Sequence, residues 1–181
     1  MLTTRDMVHI ALFAAIMAAL GLMPPIPVGF IPVPITAQSM GVMLAGSILG
    51  AKRGGLAMLL FLALVAVGLP LLSGGRGGLG VFFGPTAGFL LSWPVGAFVV
   101  GWLTERFRTR LTFARLLAAC AAGGIFVVYA IGIVGVSLVA GLPLFQAAAG
   151  SLAFIPGDLA KAVVAAFVAH TVNRSYPVIR A

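Results

Sequence analysis

In the stretch SLAFIPGDLAKAVVAAF, residues 151–167, an aspartate and a lysine stand three positions apart among side chains suited to a lipid interior. Asp158 and Lys161, at i and i+3, share one helix face, so a carboxylate and an ammonium lie side by side. Such a pair suits a small polar ligand that offers both donors and acceptors. It does not suit a bare divalent ion, because the chain has only three acidic residues in all, Asp6, Glu105 and Asp158, and no metal site is expected. A second reading is structural. Pro156 and Gly157 break the preceding chain, and Asp158 is placed to cap the free N–H groups of a new helix. Lys161 fits that reading less well. It lies about one turn in, roughly 5 Å deep, near the positive end of the helix dipole. Within a span a lysine costs up to about 2.5–3.5 kcal/mol, and ionisable residues there mark functional sites by default.

Other chemistries lack their residues. No G-x-x-x-x-G-K-[ST] phosphate loop occurs; GVMLAGS has the glycine spacing but carries Ser47 where lysine is required. Intramembrane proteolysis would need a serine beside a histidine, yet Ser151 and His170 bracket one helix about 28 Å apart by helical rise, and His9 lies near the same end as His170. An enzyme is not expected. Cys120 is the only cysteine, so there is no disulfide and no thiolate cluster, and it reads as a packing residue.

The elements that hold the pair are hydrophobic. The chain has 181 residues, 62% hydrophobic and 8% charged, too few polar residues to cover a water-facing surface. Six apolar runs are evident: Met7–Met23, Ile35–Gly50, Gly54–Leu72, Thr86–Thr104, Ala114–Leu138 and Pro156–Asn173. They are apolar all round rather than alternating, which favours helices over a β-barrel. Met7–Met23 reads as the first span rather than a cleavable signal, because Pro-rich chain and further spans follow. The expected fold is therefore an all-α membrane protein of six transmembrane helices, with residues 1–181 as one integral-membrane domain.

Net charge is +8, but the basic residues occupy short loops between apolar runs, which argues for membrane orientation rather than nucleic acid. One set of ends and loops holds Arg5, Lys52, Arg53, Arg106, Arg108, Arg110, Arg115, Arg174 and Arg180; the other holds Arg76 alone. The positive-inside rule puts the first set, and both termini, in the cytoplasm. The outer loops, PPIPVGFIPVP, SGGRGGLGVFFGP and AGLPLFQAAAGSLAFIP, are rich in Gly and Pro and carry Phe and Ile rather than charge. Such loops fold back on the helix ends, either to pack on each other or to line a cavity.

Three stretches, PVPITAQSMGVMLAG, GGRGGLGVFFGPTAGFL and FIPGDLAKA, together resemble BioY, the biotin-binding S component of energy-coupling factor (ECF) transporters, in order and across nearly the whole chain. The resemblance implies six helices whose outer loops cap one biotin. It also implies a plasma-membrane protein energised by a separate module of a transmembrane coupling protein and two ATP-hydrolysing subunits, in keeping with the missing phosphate loop. Biotin would be transported cargo, and no cofactor is implied. In this family the Asp and Lys of the sixth-helix motif contact the ureido ring; here they are Asp158 and Lys161. The Gly-rich third outer segment also contributes. Arg76 stands where some relatives carry Asn, and Phe89 where many carry Tyr, which leaves that loop's polar contacts open. Phe30, Phe82, Phe83 and Phe89 are placed either to cover the bicycle and tail or only to pack. Thr36 and Gln38, at the start of the second span, bond either the ligand or merely the loop. Arg76, the single outer cation, suits the tail carboxylate.

A different function, a self-sufficient secondary transporter for a small vitamin-like solute coupled through Asp158, would place its site near the midplane on broken helices rather than near the outer surface. The first span raises one further expectation. Ala11, Ala15 and Ala19 recur at four-residue spacing, a strip on which another helix packs closely. From spacing alone that helix belongs to this bundle; the resemblance implies instead that the strip docks on the coupling protein.

Overall fold

The structure, a computed structural model, describes residues 2–29, 32–176 and 178–179. Phe30 lies outside the described residues. Among the described residues six main helices follow one another: α1 (Thr4–Gly21), α2 (Gln38–Leu49), α3 (Ala51–Ala66), α4 (Ala87–Arg106), α5 (Phe113–Ala140) and α6 (Leu144–Ser175). Among the described residues no β-strand forms, only two isolated bridges in the loops. Helices α1, α4, α5 and α6 are long and apolar enough to cross a membrane. The second and third apolar runs give shorter helices, of 12 and 16 residues.

The short pair meets at a single residue. Gly50, with φ 87°, ends α2 and begins α3, so Lys52 and Arg53 fall in the first turn of α3 and not in a loop. The Glu105 carboxylate accepts from the Ala51 N–H at 2.9 Å and would be struck by any Cβ at position 50. Arg53 holds the same end together. It pairs with Asp6 at 3.1 Å and donates to the Val178 carbonyl, while Arg5 donates to the Tyr176 hydroxyl. Asp6 also closes a capping box with Thr3 at the start of α1. Two of the three carboxylates thus serve helix starts at the basic end, and only Asp158 lies elsewhere.

Helix α4 is central and packs on α2, α3 and α5. Glycines permit the approach: a Cβ on Gly88 would lie 2.7 Å from the Gly135 Cα of α5. Helix α5 contains a π-turn, Ala122–Val127, where it passes Gly96 and Val100 of α4. Its buried positions include Leu116, Cys120, Gly124, Val128, Gly132 and Val136, a four-residue repeat that a 3.6-residue helix cannot hold on one face over this length. The wider π-turn absorbs the extra residue and returns Val128, Gly132 and Val136 to the α4 side.

The last connection differs from the sequence expectation. AGLPLFQAAAGSLAFIP is not irregular: Leu144–Ser151 is helical and runs through a 3₁₀ turn, Leu152–Phe154, into Ile155–Ser175. Asp158 therefore does not cap a helix start, since the N-cap position is Phe154 and makes no side-chain bond.

Candidate functional site

Most buried hydroxyls in the bundle are satisfied by their own helix. Ser47, Ser92, Thr104 and Ser151 donate to carbonyls three or four residues back, at 2.6, 2.6, 2.8 and 2.7 Å. A polar cluster that bonds across helices therefore stands out, because it meets the need for buried partners by joining segments far apart in the chain. One such cluster lies where α2, α5 and α6 converge, away from the arginine-rich end that holds Arg5 and Arg53.

Asp158, 5% exposed, is its centre. Its Oδ1 accepts from Lys161 Nζ at 2.8 Å and from Ser39 Oγ at 2.9 Å, and its Oδ2 accepts from the Tyr129 hydroxyl at 2.6 Å. Lys161 Nζ also donates to Ser39 Oγ at 3.0 Å and to the Thr36 carbonyl at 2.7 Å. An ammonium has three protons, so every donor of Lys161 is engaged. A carboxylate oxygen takes about two hydrogen bonds. Oδ1 is full, and Oδ2 has one place open. A newcomer with an N–H is thus directed to Oδ2, while a newcomer carbonyl must take a proton now given to the protein.

This network forms one end of a cavity. Phe89, Tyr129 and Phe154 wall it as three rings in mutual edge-to-face contact, with centroids 6.1, 6.0 and 6.4 Å apart. Trp93, Leu72 and Val33 add apolar surface, and Thr86 and exposed Arg76 are also part of the lining. Arg76 Nε is turned toward the Ser73 carbonyl at 3.4 Å. The cavity thus joins a buried acid–base network to a cation at the surface through an aromatic middle.

Of the residues singled out from the sequence, Asp158, Lys161, Thr36, Gln38, Arg76 and Phe89 line this cavity. Gln38 is already committed. Its amide donates to the Met17 and Leu71 carbonyls, both at 3.1 Å, and accepts from the Ser73 N–H at 3.0 Å, so it braces α1 and the α3–α4 loop. Thr36 contributes its carbonyl to Lys161. Phe82 and Phe83 do not reach the cavity: Phe82 packs against the apolar core, and Phe83 is 80% exposed. Ala11, Ala15 and Ala19 all lie on the exposed side of α1, while Ala14 and Met17 face inward. Sequence reasoning missed Tyr129 and Ser39. Tyr129 had a signal, since it is the only tyrosine within a span.

The chain is 57% identical, over 99% of its own length and 99% of the relative's, to the biotin transporter BioY of Rhizobium etli. Against the biotin transporter BioY of Rhodobacter capsulatus it is 50% identical over 96% and 95%. It superposes with a TM-score of 0.91 and 33% identity on the S-component for biotin from an ECF-type ABC transporter, covering 96% of this chain and 95% of that one. The model of the BioY family matches residues 1–178, and with six helices in that arrangement and its motifs gathered at one cavity, the chain belongs to the BioY family.

Proposed function

We propose that this protein captures biotin in the cavity between α2, α4, α5 and α6 and hands it across the membrane when joined to an ATP-driven module. The observation that carries this reading is the buried Asp158–Lys161–Ser39–Tyr129 network, with one place open on Asp158 Oδ2, beneath an aromatic cage. Biotin's ureido group has two N–H donors and a strong carbonyl acceptor. One N–H takes the open place on Asp158 Oδ2, and the carbonyl takes a Lys161 proton in exchange for Ser39, the longest of that ammonium's three bonds. Phe89, Tyr129 and Phe154 cover the bicycle, and the tail carboxylate runs toward Arg76. Thr36 acts through its hold on Lys161. Gln38 shapes the wall, and Phe82 packs against the core beside the loop that carries Arg76.

On this reading residues 1–181 form one S-component domain in the plasma membrane, with both termini and the arginine-rich end in the cytoplasm. The exposed strip of Ala11, Ala15 and Ala19 docks on a transmembrane coupling protein that is served by two ATPase subunits. Calorimetric titration of the detergent-solubilised protein with biotin tests the reading. Native protein should bind. Asp158→Asn and Lys161→Ala should each weaken binding by about 10- to 100-fold, since each removes a charge-assisted hydrogen bond of roughly 1.5–3 kcal/mol. Unchanged affinity in both folded variants would refute it.

A further inference from the structure

Two hollows meet at Arg76. The first is the cavity just described. The second is a groove on the loop surface, floored by Gly75, Gly80 and Gly84 beside Pro85, and Arg76 and Thr86 line both. The groove exists because side chains are missing. A Cβ added at Gly80 would meet no described atom within 4 Å, and one at Gly84 would meet only the Val81 and Gly80 carbonyls, at 3.8 and 4.0 Å. Neither glycine has a left-handed φ, so neither position needs glycine for its backbone. Gly77, by contrast, has no such room, because a Cβ there would strike the Leu69 carbonyl.

The two hollows give any bound ligand a direction. The deep end is closed by Asp158, 5% exposed, with its partners; the shallow end is marked by exposed Arg76. A molecule held by its ureido head therefore points its tail out of the cavity, past Arg76 and along the groove. Resting on the biotin reading above, we infer that the groove receives whatever extends the tail, so that this protein also binds amide conjugates of biotin with amino acids and short peptides. An amide replaces the tail carboxylate with a neutral carbonyl. Arg76 donates to that carbonyl, and the amino acid's own polar groups lie over the glycine floor. The same geometry gives no such room at the head, where Lys161 and Asp158 Oδ1 are already fully engaged.

The test compares biotin with ε-N-biotinyl-lysine by calorimetric titration of the solubilised protein. The native protein should bind the conjugate within about tenfold of biotin. Gly80→Leu, which fills the groove and leaves the cavity intact, should weaken the conjugate by at least about tenfold more than biotin. Gly84→Val should do the same and serves if the first variant does not fold. Native protein that binds biotin but takes the conjugate more than about a hundredfold more weakly would overturn this inference and leave the biotin reading standing. So would a loss equal for both ligands in the groove variants, or no loss for either. Failure of biotin itself to bind would remove the functional reading and this inference with it.

Discussion

The Asp158–Lys161 pair can be tested in a way that separates its role in the fold from its role in the site. Lys161→Met leaves a carboxylate that is 7% exposed in its side chain, with only Ser39 and Tyr129 to meet it, and frees the Thr36 carbonyl. Asp158→Asn leaves an ammonium bound to a carbonyl and a hydroxyl but no counter-charge. Removing one member of a buried pair costs about 3–5 kcal/mol. Lys161 keeps 18% of its side chain exposed at the cavity, so about 2–3 kcal/mol is the better expectation for either single change. The double variant carries neither charge and should lie within about 1 kcal/mol of native. The coupling between the two positions is then at least about 3 kcal/mol. Binding should behave differently: the double variant has lost both fixtures for the ureido group and should bind biotin at least about 100-fold more weakly. Thermal denaturation in detergent reads the first quantity and calorimetric titration the second. If the single losses simply add in the double variant, the two charges are not a buried pair. Recovery of both stability and affinity would show that the pair serves the fold alone.

Ser39→Ala removes two bonds of the network yet releases a Lys161 proton, so stability without ligand should fall by about 1–2 kcal/mol while biotin affinity changes less than about tenfold; a larger loss of affinity would place Ser39 against the ligand. Biotin methyl ester should bind the native protein about tenfold more weakly than biotin, and Arg76→Ala should abolish that difference; an unchanged ratio would remove Arg76 from the tail. Gly88→Val drives a side chain into α5 at Gly135 and should cost more than the roughly 1–3 kcal/mol of ordinary overpacking, whereas Gly157→Ala, with only Ile35 at 4.0 Å, should change the melting temperature little. Ala15→Trp enlarges an exposed side chain and should leave biotin binding intact while preventing assembly with the coupling module in co-purification; lost binding with retained assembly would make the strip internal packing.

The parts of this protein legible in its sequence are those where burial is costly. Two ionisable residues within an apolar span need a reason, and the reason led to the cavity. The arginine bias and the glycine-rich loops were readable on the same ground. Apolar residues in the loops were not. A phenylalanine is equally at home in a cavity wall, in the core or facing lipid, so Phe89 and Phe83 look alike in sequence although one is 9% and the other 80% exposed. The helix Leu144–Ser151 was hidden for a related reason: Gly and Pro on either side read as loop, while QAAAGS in an apolar setting forms helix readily. Tyr129 was the avoidable omission. A hydroxyl within the span with the longest apolar run needs a partner as surely as a lysine does, and the unexplained acid was the obvious one.

The same cost of burial explains how the helices are tied across the bundle. Asp158 and Lys161 on α6 bind α2 through Ser39 and the segment before it through Thr36, and Tyr129 brings in α5. One residue before Ser39, Gln38 points its amide the other way, to Met17 of α1 and to the loop that leads to Arg76. Adjacent residues at the start of α2 thus hold the cavity's floor and its rim. Helix α1 meets this arrangement through its inward face alone, at Met17 and at Gly21, where a Cβ would come within 2.9 Å of the Gln38 amide nitrogen. Its outward face of Ala11, Ala15 and Ala19 makes no demand on the site. A partner helix can therefore cover that strip without displacing a residue of the network, while Met17 and Gly21, which meet Gln38 on the inward face, join α1 to the site.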